Sequence, residues 1–397
     1  MGEGECRAVA VWSEDYLRYD FGEHPMSPVR LDLTMRLARA TGVLDRLEVV
    51  APVGASDEEL LTVHDADYLA ALRQASSQPG YVGFGLGGDD NPVFEGMYAA
   101  GALIAGGTRT AADAIVEGRA EHAVNLAGGL HHAMRGTASG FCLINDVVLG
   151  IDRLLAAGYT RIAYVDVDVH HGDGVQAAYF DDPRVLTVSL HEDPRFLFPG
   201  TGLPTEIGRG EAVGTAVNVA LPPGTGDAGW LTAFGAVVPS VLRAFAPQVL
   251  VTQGGCDTHR DDPLANLSLT VDGQARAVAL CHDLAHELTE GRWLAVGGGG
   301  YNIVRCVPRT WTQVLAAATG SLLPMSTEIP AGWTAHLREK GVTSSLPDRF
   351  GELPLDRAAP APGEWMPGGD SWLDRSIGAT RNAVFPLLGL DPDDPRD

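Results

Sequence analysis

Two carboxylates and an imidazole stand at alternate positions of one apolar run, Tyr164-Val165-Asp166-Val167-Asp168-Val169-His170, which continues into His171, Gly172 and Asp173. In an extended chain alternate side chains share a face, so Asp166, Asp168 and His170 are expected to project together, opposite the valines. Burying such groups without a partner is costly, and a cation is the simplest partner for them. A single Asp here would be read as a solvated or ion-paired strand end; the cluster favours a metal. A second element is Gly128-Gly129-Leu130-His131-His132, which follows the apolar AVNLA. A lone His in that place is more often a hydrogen-bonded core residue. An adjacent pair beside carboxylates suits acid–base work, because imidazole titrates near neutral pH.

Gly254-Gly255-Cys256-Asp257 closes another apolar run and adds a carboxylate, although strand-end Asp residues often just cap the next helix. Four glycines, Gly297 to Gly300, precede Tyr301 and Asn302. They let backbone approach a ligand, and the tyrosine offers it a hydroxyl. The spacing fits neither of the phosphate-cradling patterns GxGxxG and GxxxxGK[ST]. No GxSxG elbow occurs and no cysteine has a base partner in sequence, so a serine or cysteine nucleophile is not indicated. The remaining chemistry is metal-activated water, with His as base and Tyr as electrophile.

These residues need a scaffold that brings distant segments together. RIAYVDVDV (161–169), RVLTVSL (184–190), QVLVTQGG (248–255) and RWLAVGGGG (292–300) read as buried strands that end in polar or Gly-rich loops. Helical patterns fall between them, at 149–158, around 228–245 and at 272–288. Strand, helix, strand at this spacing argues for a parallel α/β sheet covered on both faces, with its chemistry at the carboxyl ends of the strands. The Gly/Pro-rich stretches 79–92 and 194–229 read as long loops. Residues 1–325 are expected to form the catalytic domain. Residues 326–397 are expected to be an extension packed on the body, frayed at DPDDPRD.

The 397-residue chain carries 28 basic and 51 acidic side chains, a net charge of −23. Such a surface repels phosphate backbones and anionic membranes, so neither nucleic acid nor membrane is expected as a partner; cationic substrates would be attracted. The cysteines Cys6, Cys142, Cys256, Cys281 and Cys306 are scattered and form no CxxC, which speaks against a disulfide framework and against a thiolate zinc site. The N-terminal residues show no leader pattern and no run reaches the ~18 apolar residues of a membrane span. A cytoplasmic location is the expectation.

With these motifs in view, the sequence resembles the zinc-dependent histone deacetylase superfamily, in its bacterial acetoin-utilisation branch. The matching segments are HPMSPVR (24–30), DDNPVFEGM (89–97), GGLHHA (128–133), SGFCLINDVVLG (139–150), YVDVDVHHGDGVQ (164–176), VSLHEDPRFLFPGTG (188–202), QGGCDTHRDDPLANLSLT (253–270) and GGGGYN (297–302). They follow the family's order across about four-fifths of the chain. The resemblance implies the arginase/deacetylase fold with a central eight-stranded parallel sheet. It implies Zn²⁺, or Fe²⁺ in its place, on Asp168, His170 and Asp257, with His131 and His132 as base and acid. It makes Asp166 and Asp173 the carboxylates behind those histidines, and Tyr301 the donor to the carbonyl oxygen. Phe141 and Phe198 would wall an acyl-lysine tunnel, with Gly140 and Gly299 against the substrate, Leu269 near the mouth, Asp90 on the rim and Arg30 at the base. Structural K⁺ or Na⁺ would sit on Asp166, Asp168, His170, Ser189 and Leu190, and again at Tyr179, Asp182 and Val185. Leu130, Leu143 and Cys256 depart from the residues that many members carry there.

The activity so implied is hydrolysis of N6-acetyl-lysine in proteins, with acetylated metabolic enzymes such as acetyl-CoA synthetase as substrates in acetoin or acetate metabolism. The competing readings are an acetylpolyamine deacetylase, an arginase-like binuclear manganese ureohydrolase, and a binding protein on a dead hydrolase scaffold. The second competitor lacks its DxHxD pattern; the third is at odds with the presence of every reacting group.

Overall fold

Eight apolar runs form one parallel sheet: β1 (Ala8–Val11), β2 (Glu48–Val50), β3 (His122–Asn125), β4 (Ile162–Asp166), β5 (Val185–Glu192), β6 (Ala216–Leu221), β7 (Val249–Gln253) and β8 (Trp293–Val296). The computed structural model describes residues 6–357 and 360–397; the first five residues, where no leader was expected, lie outside that range. The strand order is β2-β1-β3-β8-β7-β4-β5-β6. Every strand except the edge strand β2 is buried along its length. That is why these strands read as continuous apolar runs and not as alternations: helices cover both faces.

The order of the strands positions the site. From β4 the chain runs outwards through β5 to β6, then returns to lay β7 and β8 between β4 and β3. The carboxyl ends of β3, β8, β7 and β4 are therefore neighbours. The loops that leave them carry His131-His132, the glycine run with Tyr301, Asp257, and Asp168 with His170. A reversal of strand order is where open α/β sheets place their ligands.

Three expectations need correction. The stretch 194–229 is not all loop, because it contains β6, whose six residues AVNVAL are buried and pair with β5. The Gly- and Pro-rich flanks of this run give it the look of a loop. The C-terminal end is not frayed. The Arg381 side chain, fully buried, donates to the backbone oxygens of Asp391 at 3.2 Å, Pro392 at 2.8 Å, Asp394 at 2.6 Å and Asp397 at 2.8 Å. The third correction, where β4 ends, concerns the site itself and is taken up below.

Two parts of the 326–397 segment reach the body. The Trp333 indole donates to Leu33 O at 2.9 Å, and Thr380 on the helix Trp372–Val384 donates to Asn218 O on β6 at 2.6 Å. Among the described residues, one helix, Asp227–Phe245, is long and apolar enough by composition to cross a membrane. Its Trp230, Leu231, Phe234, Val238 and Leu242 are buried in the core.

Candidate active site

The loop after β3 is held by the start of the helix Asp146–Ala156. Asn145 caps that helix by accepting from Val148 N at 3.1 Å, and its amide donates to Ala133 O at 3.0 Å. The Asp146 carboxylate accepts from Gly129 N at 3.0 Å, from Leu130 N at 2.8 Å and from the Thr108 hydroxyl at 2.5 Å. The histidine pair is thus gripped on both sides. Neither Asn145 nor Asp146 was singled out from the sequence, although both belong to the run GFCLIND.

Strand alternation does not extend as far as the sequence suggested. β4 ends at Asp166, and the following residues are placed by successive Asp turns. Asp166 Oδ1 accepts from Asp168 N at 3.1 Å, and Asp168 Oδ1 accepts from His170 N at 3.0 Å. A short acidic side chain that bonds its own backbone two residues on is a turn former. The three groups consequently divide. Asp166 Oδ2 turns to His131 Nδ1 at 2.7 Å and also accepts from the Tyr164 hydroxyl at 2.5 Å. Asp168 and His170 turn instead to Asp257: His170 Nδ1 lies 3.0 Å from Asp168 Oδ1 and 3.2 Å from Asp257 Oδ2.

Asp168, His170 and Asp257 are all buried, and their ligating atoms lie within 4.8 Å of one another. The remaining carboxylate oxygens are already engaged. Asp257 Oδ1 accepts from Val169 N at 2.9 Å, and Asp168 Oδ2 accepts from Gly299 N and from the Gln253 amide, each at 2.7 Å. Gln253 was overlooked in the sequence; its signal was a polar residue ending the apolar strand VLVTQ. Burial and the neighbouring Asp168 carboxylate push the Asp257 carboxyl up. Burial opposes charge on His170, but the two carboxylates outweigh it and push His170 up. The cluster therefore calls for positive charge. Two carboxylates and one imidazole, each fixed through its other atoms, fit a divalent cation with room for further ligands. Gly299 must be glycine, because a Cβ there would stand 1.9 Å from Asp257 Oδ2.

Beside this cluster His131 Nε2 and His132 Nε2 lie 3.0 Å apart, and His132 Nδ1 lies 2.7 Å from Asp173 Oδ1. With each Nδ1–H donating to a carboxylate, the short contact between the two Nε2 atoms requires one shared proton. The electrostatics agree. Burial opposes a charge on His131, but Asp166 and Asp168 outweigh it and His131 is held up at about 9. Burial and then the neighbouring His131 hold His132 down at about 4. Two neighbouring groups pushed apart in this way can exchange roles as acid and base. Asp166→Asn should remove the main support of the His131 cation. The alkaline limb of the pH–kcat/KM profile should then move to lower pH by a unit or more, since nearby opposite charges shift such groups by ~1–3 units. An unmoved limb would mean that His131 does not set it.

Tyr301 lies across the cavity from the histidines. Its N–H donates to Asp262 Oδ2 at 2.8 Å, and its ring meets that of Phe141 edge-on with centroids 5.7 Å apart. Burial, then Asp257 and Asp168, push its phenol well above the ordinary range, so the hydroxyl stays a donor. Behind it buried Arg30 donates to Gly300 O at 3.1 Å, its guanidinium 6.0 Å from the Tyr301 ring centroid. Met26, Leu130, His131, His132, Gly140, Phe141, Asp168, His170, Gly299 and Tyr301 are among the residues lining one narrow cavity.

At the rim Phe198, 46% exposed, packs its ring 5.0 Å from that of His132. Gly140 has φ +54°, and a Cβ on it would lie 2.4 Å from His132 Cδ2. Asp90 is exposed, and its carboxylate accepts from Gly140 N at 2.9 Å and from the Asn91 amide at 2.7 Å. Leu269 is not at the mouth. It pairs through its backbone with His259 and is only 1% exposed. The half-buried Leu264 donates its N–H, at 3.0 Å, to the same Asp262 carboxylate that holds Tyr301.

Of the residues expected around monovalent ions, Ser189 pairs with Asp166 across β5 and β4. Its hydroxyl lies 2.8 Å from His191 Nδ1, and Leu190 follows it on β5. Tyr179, Asp182 and Val185 lie along one turn, in which Asp182 N donates to Tyr179 O at 3.0 Å and Val185 N to Asp182 O at 3.3 Å.

Comparison with known proteins agrees with this geometry. Residues 24–318 match the histone deacetylase domain. The chain is 41% identical over 360 residues to the acetoin utilization protein AcuC of Bacillus subtilis strain 168, an alignment covering 89% of this chain and 92% of that one. It is 38% identical to AcuC of Staphylococcus aureus strain MSSA476, covering 79% and 82% of the two chains. The crystal structure of a histone deacetylase homologue from Aquifex aeolicus superposes with a TM-score of 0.81 at 28% identity, covering 94% of this chain and all of that one. The buried Asp168-His170-Asp257 cluster, the carboxylate-backed histidine pair and these similarities lead to one assignment: the chain belongs to the histone deacetylase family, in its AcuC branch.

Proposed function

We propose that this deacetylase-family protein hydrolyses N6-acetyl-lysine in proteins to lysine and acetate. The observation that carries the reading is the shared-proton pair His131–His132, backed by Asp166 and Asp173, beside Asp168, His170 and Asp257 in a narrow cavity. Asp168, His170 and Asp257 hold the divalent ion, zinc or iron(II) in its place. When bound, that ion supplies a Lewis acid for the acetyl carbonyl and acidifies water.

The protein's own groups handle the rest. His132 Nε2 takes a proton from the attacking water as the C–O bond forms. The Tyr301 hydroxyl donates to the oxygen that becomes negative, a contact stronger in the transition state than in the ground state. The histidine pair returns a proton to the nitrogen as the C–N bond breaks. Lysine leaves as an amine and the acetyl group as acetate. Without that proton the amine would be a poor leaving group. Phe141 and Phe198 flank the aliphatic stem of the lysine. Asp166, Asp168, His170, Ser189 and Leu190, and separately Tyr179, Asp182 and Val185, would hold structural K⁺ or Na⁺. Its substrates would be acetylated metabolic enzymes, acetyl-CoA synthetase among them; the relatives, named for acetoin utilisation, support a metabolic setting and no particular target.

A small acetylpolyamine is the competing substrate, and the net charge of −23 would attract it. Kinetics on an acetyl-lysine peptide and on acetylspermidine separate the two. Asp90→Ala sharpens the comparison. If Asp90 accepts N–H groups flanking the acetyl-lysine, its loss should raise KM for the peptide about tenfold, kcat falling less, while acetylspermidine changes little; charge-assisted contacts of this kind are strong ones. Equal loss on both substrates would mean that Asp90 only shapes its own loop through Gly140. Faster turnover of acetylspermidine by the native protein would overturn the lysine reading.

A further inference from the structure

Four donors that the active site does not use meet at the opposite edge of the sheet. Cys6 precedes β1 and His122 opens β3. His282 and His286 lie one turn apart near the end of the helix Val271–Leu288, which leads into β8. All four lie toward the amino ends of the strands, whereas the active-site residues follow the carboxyl ends. One ligating atom from each lies within 4.8 Å of every other.

The spacing within the cluster has the size of a coordination shell. His286 Nε2 is 3.2 Å from His282 Nε2 and 3.5 Å from Cys6 Sγ. Zinc bonds of ~2.0–2.1 Å to nitrogen and ~2.3 Å to sulfur imply tetrahedral edges of about 3.3 Å between two nitrogens and about 3.6 Å between nitrogen and sulfur. Both observed separations agree with those edges.

A second observation is independent of these distances. His122 is fully buried, and its ring centroid lies 5.0 Å from those of both His282 and His286. Its Nδ1 donates to Ala318 O at 2.8 Å. That bond fixes the tautomer and leaves a lone pair on Nε2, a buried nitrogen without a hydrogen-bond partner among the described residues. Leaving such a group unsatisfied is costly. A histidine that donates one ring N–H to a backbone carbonyl and presents the other nitrogen is the usual arrangement of a metal ligand.

We propose that Cys6, His122, His282 and His286 form a second metal site, which takes a zinc-like divalent cation through one thiolate and three imidazoles. Four protein donors leave no open position for water or substrate, so the site is structural. It ties the segment before β1 to β3 and to the helix ahead of β8. On binding, the Cys6 thiol gives its proton to solvent and the imidazoles bind neutral.

The test uses the full chain, stripped with a chelator and titrated separately with Zn²⁺ and Co²⁺. Elemental analysis should find two zinc ions per native chain, one in Asp257→Ala and one in His286→Ala. Co²⁺ should give a thiolate charge-transfer band in the native chain and in Asp257→Ala, absent from Cys6→Ser. The catalytic cluster has no thiolate, so the band reports only the second site. If His286→Ala does not fold, Cys6→Ser, which lies ahead of the first strand, decides by the band. One zinc ion per native chain, two in a folded His286→Ala, or a band that survives in Cys6→Ser would each overturn the proposal.

Discussion

Asp257→Ala should weaken binding of the catalytic divalent ion by more than about 100-fold and abolish deacetylation. Groups that merely orient a ligand typically contribute 10–100-fold in affinity or activity; Asp257 offers an oxygen directly, 3.2 Å from His170 Nδ1. It also has a second task, because its other oxygen accepts from Val169 N at 2.9 Å. Alanine removes both. Asp257→Asn keeps an acceptor for Val169 N while removing the charge, so it separates a lost ligand from a distorted loop. Both variants should lose the ion, with zinc content falling by one per chain. Full retention in either folded variant would sink the assignment of Asp257 as a ligand.

Tyr301→Phe should lower kcat by roughly 10²–10³ while the metal content stays unchanged, the loss expected for one oxyanion donor. The substitution removes a single oxygen. The ring keeps its edge contact with Phe141 and its place over Arg30, and the bond from its N–H to Asp262 belongs to the backbone. Packing is therefore preserved, and the change reports the hydroxyl. KM should move little, because the contact strengthens as charge develops on the substrate oxygen. A fall of less than about threefold, worth under ~0.7 kcal/mol of barrier, would remove Tyr301 from the chemistry.

Much of this site was legible locally. Asp168 and His170 are two residues apart, and His131 and His132 are adjacent. Asp257 and Tyr301 each follow glycines at the end of an apolar run. Local order of that kind survives folding because a buried parallel strand stays apolar along its length and gathers its polar groups where it ends. The family resemblance added roles to residues already marked by their chemistry. It also carried one misplacement, Leu269, which is buried and pairs through its backbone with His259. The alternation rule failed for a nearby reason. It requires extended chain, and β4 ends at Asp166, where the Asp turns begin to place the side chains.

The sequence alone determined which residues could act and that a parallel sheet would present them at its carboxyl edge. It also identified four of the eight strands, β4, β5, β7 and β8. Which strands become neighbours is settled by burying every apolar face at once, a condition on the whole chain that no local window contains. The tertiary structure placed β7 beside β4 and so brought Asp257 to Asp168. It set Gln253 against Asp168 and Asp146 under the histidine loop. It drew the C-terminal residues onto Arg381. It also assembled Cys6 with His122, His282 and His286, although scattered cysteines and the absence of CxxC argued against any thiolate site. Those four are far apart along the chain and share no motif. They meet because β1, β3 and β8 are consecutive in the sheet, and what precedes each of these strands is brought to one edge.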